Sequence, residues 1–289
     1  RTLGRKGGGP GEFDQPAALF WKDGNLWVVD QGNARFSVFD TAGTFVASHR
    51  RGTGGFMWSP WPGRVDRQGR IHDILPLREG TDFRMALARL DAAFQPADTF
   101  PLPRMEGEYF ELASRGGRTR VSVPFTPGME TRLDRDGAVW MGRSDRYRLA
   151  LVGFDGDTVR TVEKEHTPIP VSGEERDSAL AGLKWFRDQG GTVDAGKIPG
   201  VKPAFRGIHP QEDGSLWVAP QRAGVNAPMA FDVFDADGRY LGLVEPPVPI
   251  RSFGMLVRGD VMLAVADDEM DIPRVVRFRI RKGGAPAGT

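Results

Sequence analysis

Apolar and polar residues alternate along this chain in short runs, and five of those runs begin alike. Asp23-Gly24-Asn25 leads into Leu26-Trp27-Val28-Val29-Asp30. The plan returns at Arg67-Gln68-Gly69-Arg70-Ile71-His72, Arg135-Asp136-Gly137-Ala138-Val139-Trp140, Glu212-Asp213-Gly214-Ser215-Leu216-Trp217 and Arg258-Gly259-Asp260-Val261-Met262. Each copy sets a polar residue before or beside a glycine and a large residue three positions after it. A tight turn of this kind needs positive φ, which glycine adopts without steric cost. Each copy therefore predicts a turn followed by a strand. Period-two alternation then sends Trp27, His72, Trp140, Trp217 and Met262 to equivalent faces of their sheets.

The repeat glycines, at 24, 69, 137, 214 and 259, are separated by 45, 68, 77 and 45 residues. Forty-five residues hold about four short strands, the size of one propeller blade. The predicted fold class is all-β: a β-propeller of four-stranded antiparallel blades, forming one domain over residues 1–289, with five repeats visible. The two longer spacings hold insertions. Residues 104–128 read as a hairpin, with Tyr109 to Leu112 and Val121 to Val123 flanking a Gly/Arg turn. Residues 166–200 read as helix: Ser172 caps, Glu175 completes a capping box, and Gly190-Gly191 stops it. Ala179, Leu180, Leu183 and Phe186 would share its apolar face. The fifth blade shows three strands, 283–289 is a flexible tail, and Arg1 to Leu3 is an unassigned outer strand.

Composition agrees with many tight turns: 38 glycines and 22 prolines among 289 residues. A formal net charge of +1 gives no whole-protein field that selects nucleic acid or an anionic membrane. The basic-aromatic cluster of Arg115, Arg118 and Arg120 with Tyr109 and Phe110 is too small to change that. No cysteine occurs, which excludes disulfides, thiolate metal sites and cysteine nucleophiles. No run of about 18 apolar residues predicts a membrane span. The glycine-rich stretch 7–11 leads into a strand, so the helix N-terminus that phosphate loops use is missing.

Gly7-Gly8-Gly9-Pro10-Gly11-Glu12-Phe13-Asp14-Gln15-Pro16, followed by Asp23 to Asp30, Asn33-Ala34-Arg35 and Phe36-Ser37-Val38-Phe39-Asp40, resembles the NHL-repeat type of β-propeller. The resemblance is strongest to the six-bladed propellers of exported bacterial proteins, and sharpest over residues 1–48 and 204–245. It implies a sixth blade upstream of Arg1 and a periplasmic or extracellular location, with lipid anchoring through a missing N-terminus as one form of it. It implies no single activity, since most such propellers are binding platforms and a few are lactonases or lyases.

Propeller ligands bind where the connections between blades open on one face. Counting back from each repeat glycine places Pro16, Trp61, Met129, Arg206 and Arg251 at equivalent starts of innermost strands, with Leu19, Arg64, Arg132, His209 and Gly254 three positions on. Arginine forks match carboxylate or phosphate, and an indole suits a sugar or aromatic ring. The candidate ligand site is therefore Trp61, Arg64, Glu130, Arg206, His209 and Arg251, for a small anionic or carbohydrate-like ligand or a protein partner. The competing assignment has these arginines paired with Glu130, Asp30 or Asp267-Asp268-Glu269 as staples. Four histidines, at 49, 72, 166 and 209, fall at non-equivalent positions, against a zinc site. Asp267 to Asp271 is the one acidic run suited to calcium or another hard divalent cation, and more ordinarily a solvated loop. No cofactor is predicted. The expected function is non-enzymatic binding at the channel mouth. A metal-dependent lactonase or lyase, and a scaffold in an exported assembly, are the alternatives.

Overall fold

The computed structural model describes residues 2–53, 64–79, 82–104, 107–114, 117–251 and 254–281. Each of the five sequence repeats becomes one antiparallel sheet whose strands lie in chain order. The first holds β1 (Pro16–Lys22), β2 (Asn25–Asp30), β3 (Arg35–Phe39) and β4 (Phe45–Arg50); the second holds β5 (Arg64–Val65), β6 (Ile71–Glu79), β7 (Asp82–Leu90) and β8 (Pro96–Pro101). β9 (Tyr109–Ser114) and β10 (Gly117–Ser122) form a two-stranded hairpin. The third sheet is β11 (Met129–Leu133), β12 (Val139–Arg143), β13 (Arg148–Val152) and β14 (Thr158–Glu163). The helices α1 (Gly173–Gly182) and α2 (Lys184–Asp188) follow. β15 (Phe205–Pro210), β16 (Leu216–Pro220), β17 (Phe231–Phe234) and β18 (Tyr240–Val244) make the fourth sheet, and β19 (Leu256–Arg258), β20 (Val261–Asp267) and β21 (Pro273–Arg279) the three-stranded fifth. The fold class is an all-β propeller built mostly of four-stranded antiparallel blades, with one small helical insertion.

The physical premise of the repeat holds at every copy. Gly24, Gly69, Gly137, Gly214 and Gly259 all have φ between +62° and +87°. Trp27, His72, Trp140, Trp217 and Met262 are all buried, none more than 7% exposed. The chain falls into two compact units, Arg1–Met105 with Thr131–Val139 and Leu151–Val159, and Glu106–Glu130 with Trp140–Ala150 and Arg160–Thr289. In the first, Phe20, Trp27, Val29, Phe36, Val38 and Ile71 form a core, and Arg51 makes a buried fork onto Asp73 at 2.7–2.9 Å. In the second, Trp217, Phe231, Val233, Val257 and Met262 pack together. There too, buried Asp232 accepts from Tyr147 (2.7 Å), Lys164 (2.6 Å) and Tyr240 (2.8 Å).

Two expectations need correction. Thr2 and Leu3 lie in no strand. The chain there curls into the glycine-rich loop instead, where Gly4 takes a φ of +71° and Phe13 N–H donates to the Arg5 carbonyl at 2.8 Å. The helical insertion is also not one helix. Leu183 leaves helical geometry at φ −91°, ψ 10°, separating α1 from α2, and Leu183 and Phe186 are buried with Phe110, Val123 and Ile198. Packing of the helical insertion on the hairpin insertion sets this break. The tail 283–289 lies outside the described residues.

Candidate functional site

The second unit carries a cavity of about 270 Å³ whose walls begin at the neck of the helical insertion. There, residues 169–171 pair with 200–202: Lys202 N–H donates to the Ile169 carbonyl and Val171 N–H to the Gly200 carbonyl, both at 2.9 Å. Ser172 follows directly and caps α1. Its Oγ accepts from the Glu175 N–H at 3.2 Å, and its own N–H donates to Glu175 Oε2 at 3.0 Å, closing the capping box. Position N3 of the helix thus stands beside the neck, and the remaining oxygen, Glu175 Oε1, accepts from Lys202 Nζ.

Both partners are almost fully buried, and Lys202 Nζ donates again to the Arg222 carbonyl at 2.6 Å. The Lys202 ammonium pulls the Glu175 carboxyl down from 4.5 to about 2; burial opposes this and the bonds from Ser172 assist. Phe125, after the hairpin, places its ring 5.9 Å from Lys202 Nζ. Arg206, on β15, and Arg222, ion-paired with Glu245, complete the cationic wall with Ser178 opposite on α1. Partial withdrawal of the Arg206 guanidinium from water, with the neighbouring Arg222 charge, pushes its pKa down. Among the described residues Arg206 has no carboxylate partner. It is an exposed cation next to another cation.

Of the six residues expected at a ligand site, Arg206 lines this cavity. Arg251 donates from Nε and Nη2 to the Asp267 carboxylate, at 3.0 and 2.6 Å, so it is ion-paired within its own blade. His209 stands edge-on to Phe231 with ring centres 5.6 Å apart. Glu130 is half-buried on β11, and Arg64 opens β5 in the first unit with its side chain exposed. Trp61 lies outside the described residues. Lys202, Glu175 and Arg222 were not singled out from sequence as a site. No local signal marked them: Lys202 precedes β15 and lies in no strand, and the sequence pattern does not place Glu175 or Arg222 beside it.

No group of three or more His, Asp or Glu side chains among the described residues is placed to hold a metal. The acidic loop at Asp267 to Asp271 is engaged internally. Asp268 accepts from the N–H groups of Met270 and Ile272 and pairs with Arg274, while Asp267 holds Arg251. No helix among the described residues is long and apolar enough to cross a membrane.

No family model and no curated protein matches the chain. Solved structures do. A protein of Bacteroides fragilis described as exported is 14% identical at a TM-score of 0.46, with 91% of this chain and 70% of that one covered. A streptogramin B lyase is 12% identical at a TM-score of 0.41, covering 94% and 85%. A puromycin hydrolase is 16% identical at 0.40, covering 92% of this chain and 43% of the hydrolase. At these values no activity passes from them to this chain. They do correct the expectation of a purely non-enzymatic module, since the similar structures include a lyase and a hydrolase. The physical reason is that blades fix only the scaffold, while chemistry resides in loops and insertions grafted onto it.

Proposed function

We propose that this chain is an enzyme of the hydrolase or lyase class, acting on a small substrate that carries a carboxylate, at the cavity walled by Lys202, Arg206 and Arg222. The observation that carries this reading is Arg206, a guanidinium beside Arg222 with no carboxylate partner among the described residues. A substrate carboxylate offers the fork geometry that guanidinium lacks. Lactone or ester hydrolysis and elimination next to a carbonyl both build negative charge on an oxygen. A cation fixed at the cavity wall stabilises that charge without reorganising. Lys202, held by Glu175 and the Arg222 carbonyl, supplies such a cation.

The test compares two lactones in a pH-stat assay, with and without added divalent cation: 5-oxotetrahydrofuran-2-carboxylate, and γ-butyrolactone, which lacks the carboxylate. The expected result is turnover of the first in clear preference to the second, with Arg206→Ala lowering kcat/KM on the first by roughly tenfold or more. Equal turnover of the two lactones overturns the carboxylate preference, and turnover of neither overturns the hydrolase half of the reading. The left-handed glycines and buried large residues of the five repeats support an NHL-type propeller, and we place the protein outside the cytoplasm on that resemblance. Recovery of the full-length protein in the cytoplasmic fraction of its host would count against that placement.

A further inference from the structure

We propose that Glu175 is a positioning residue for anion binding: it couples the cap of α1 to the cavity by fixing the Lys202 ammonium. This rests on the anion-binding reading above. One carboxylate has two separate duties here. Oε2 accepts from the Ser172 N–H at 3.0 Å and so is set by the helix terminus, while Oε1 accepts from Lys202 Nζ. The capping box therefore orients the carboxylate, and the carboxylate orients the lysine. Lysine needs this, because its ammonium is a point charge on a flexible four-carbon stem. A second hydrogen goes to the Arg222 carbonyl at 2.6 Å, which leaves one of the three for a ligand oxygen. The helix alone requires only some acceptor at this position, and glutamine serves there as well as glutamate. The charge and the reach of Glu175 are what Lys202 uses.

Positioning and simple neutralisation predict opposite signs. If Glu175 did no more than cancel a buried charge, removing its negative charge from the cavity wall would tighten binding of an anion. If it positions Lys202, the same change weakens binding. The experiment is isothermal titration of the whole chain with glutarate, for the wild type, Glu175→Gln, Glu175→Asp and Arg206→Ala, alongside thermal melts. Glu175→Gln keeps the capping acceptor and loses the charge. Glu175→Asp keeps the charge and loses one carbon of reach, so it tests the same idea should the glutamine variant fail to fold. Each is expected to weaken glutarate binding by roughly tenfold, as loss of a partner that orients a ligand-binding group does elsewhere. Arg206→Ala is expected to weaken it at least as much. Unchanged or tighter binding by either folded Glu175 variant overturns the positioning role and leaves the anion cavity standing. Failure of the wild type to bind glutarate overturns the cavity reading itself, and this inference with it.

Discussion

At Gly24 the backbone turns through φ +75° and nothing stands within 4 Å of where a Cβ would be. A side chain there meets no neighbour, so the whole effect of a substitution lies in the backbone. Gly24→Ala is expected to destabilise the protein by about 1–2 kcal/mol in urea unfolding, and Gly24→Asn by less, since asparagine tolerates the left-handed region better. An alanine variant as stable as wild type would refute the turn reading of the repeat. Such glycines were legible in the sequence because the constraint is local and chemical. The place of Arg206 on β15 was legible for a related reason, as its distance from the repeat glycine sets its register on that strand. What Arg206 faces was not legible. Arg251 sits at the equivalent place in the next blade and is engaged by Asp267, whereas Arg206 meets Arg222. Equal positions in a repeat carry unequal electrostatic surroundings.

Among elements, the capping box illustrates how a correct local reading can be incomplete. Ser172 and Glu175 announce a helix start, and the structure forms it. The second duty of Glu175 needs Lys202, 27 residues away in sequence, brought in by the pairing of residues 169–171 with 200–202. Because folding lowers the Glu175 pKa from 4.5 to about 2, its ionised form stabilises the folded state. That stabilisation is fully present above about pH 4.5 and is lost as pH falls towards about 2. Melting temperatures of wild type and Glu175→Gln should therefore differ at pH 6 and converge through that window; a gap that persists at the acid end would exclude the ion pair as its source. The break at Leu183 has a similar origin. Period and capping favour one continuous helix, but burial of Leu183 and Phe186 against Phe110 and Val123 of the hairpin decides where the chain bends.

For the whole molecule, near-balance of 39 basic and 38 acidic residues means that any attraction for an anion is local to the cavity. Glutarate affinity should then fall only a few-fold between low and physiological salt, because Lys202 is buried and its charge is screened less than a surface field. A loss of orders of magnitude in that titration would point to a diffuse basic surface instead. The sequence by itself determined the blade architecture, the positions of the turns and the presence of a helical insertion. Those follow from alternation, glycine placement and spacing, which act over a few residues and recur. Only the tertiary structure decided which cations share a cavity, which arginine is stapled by a carboxylate, and that a helix-capping glutamate holds a lysine. These depend on contacts between segments far apart in the chain. No period or propensity encodes the distance between two charged atoms; packing of the insertions sets it.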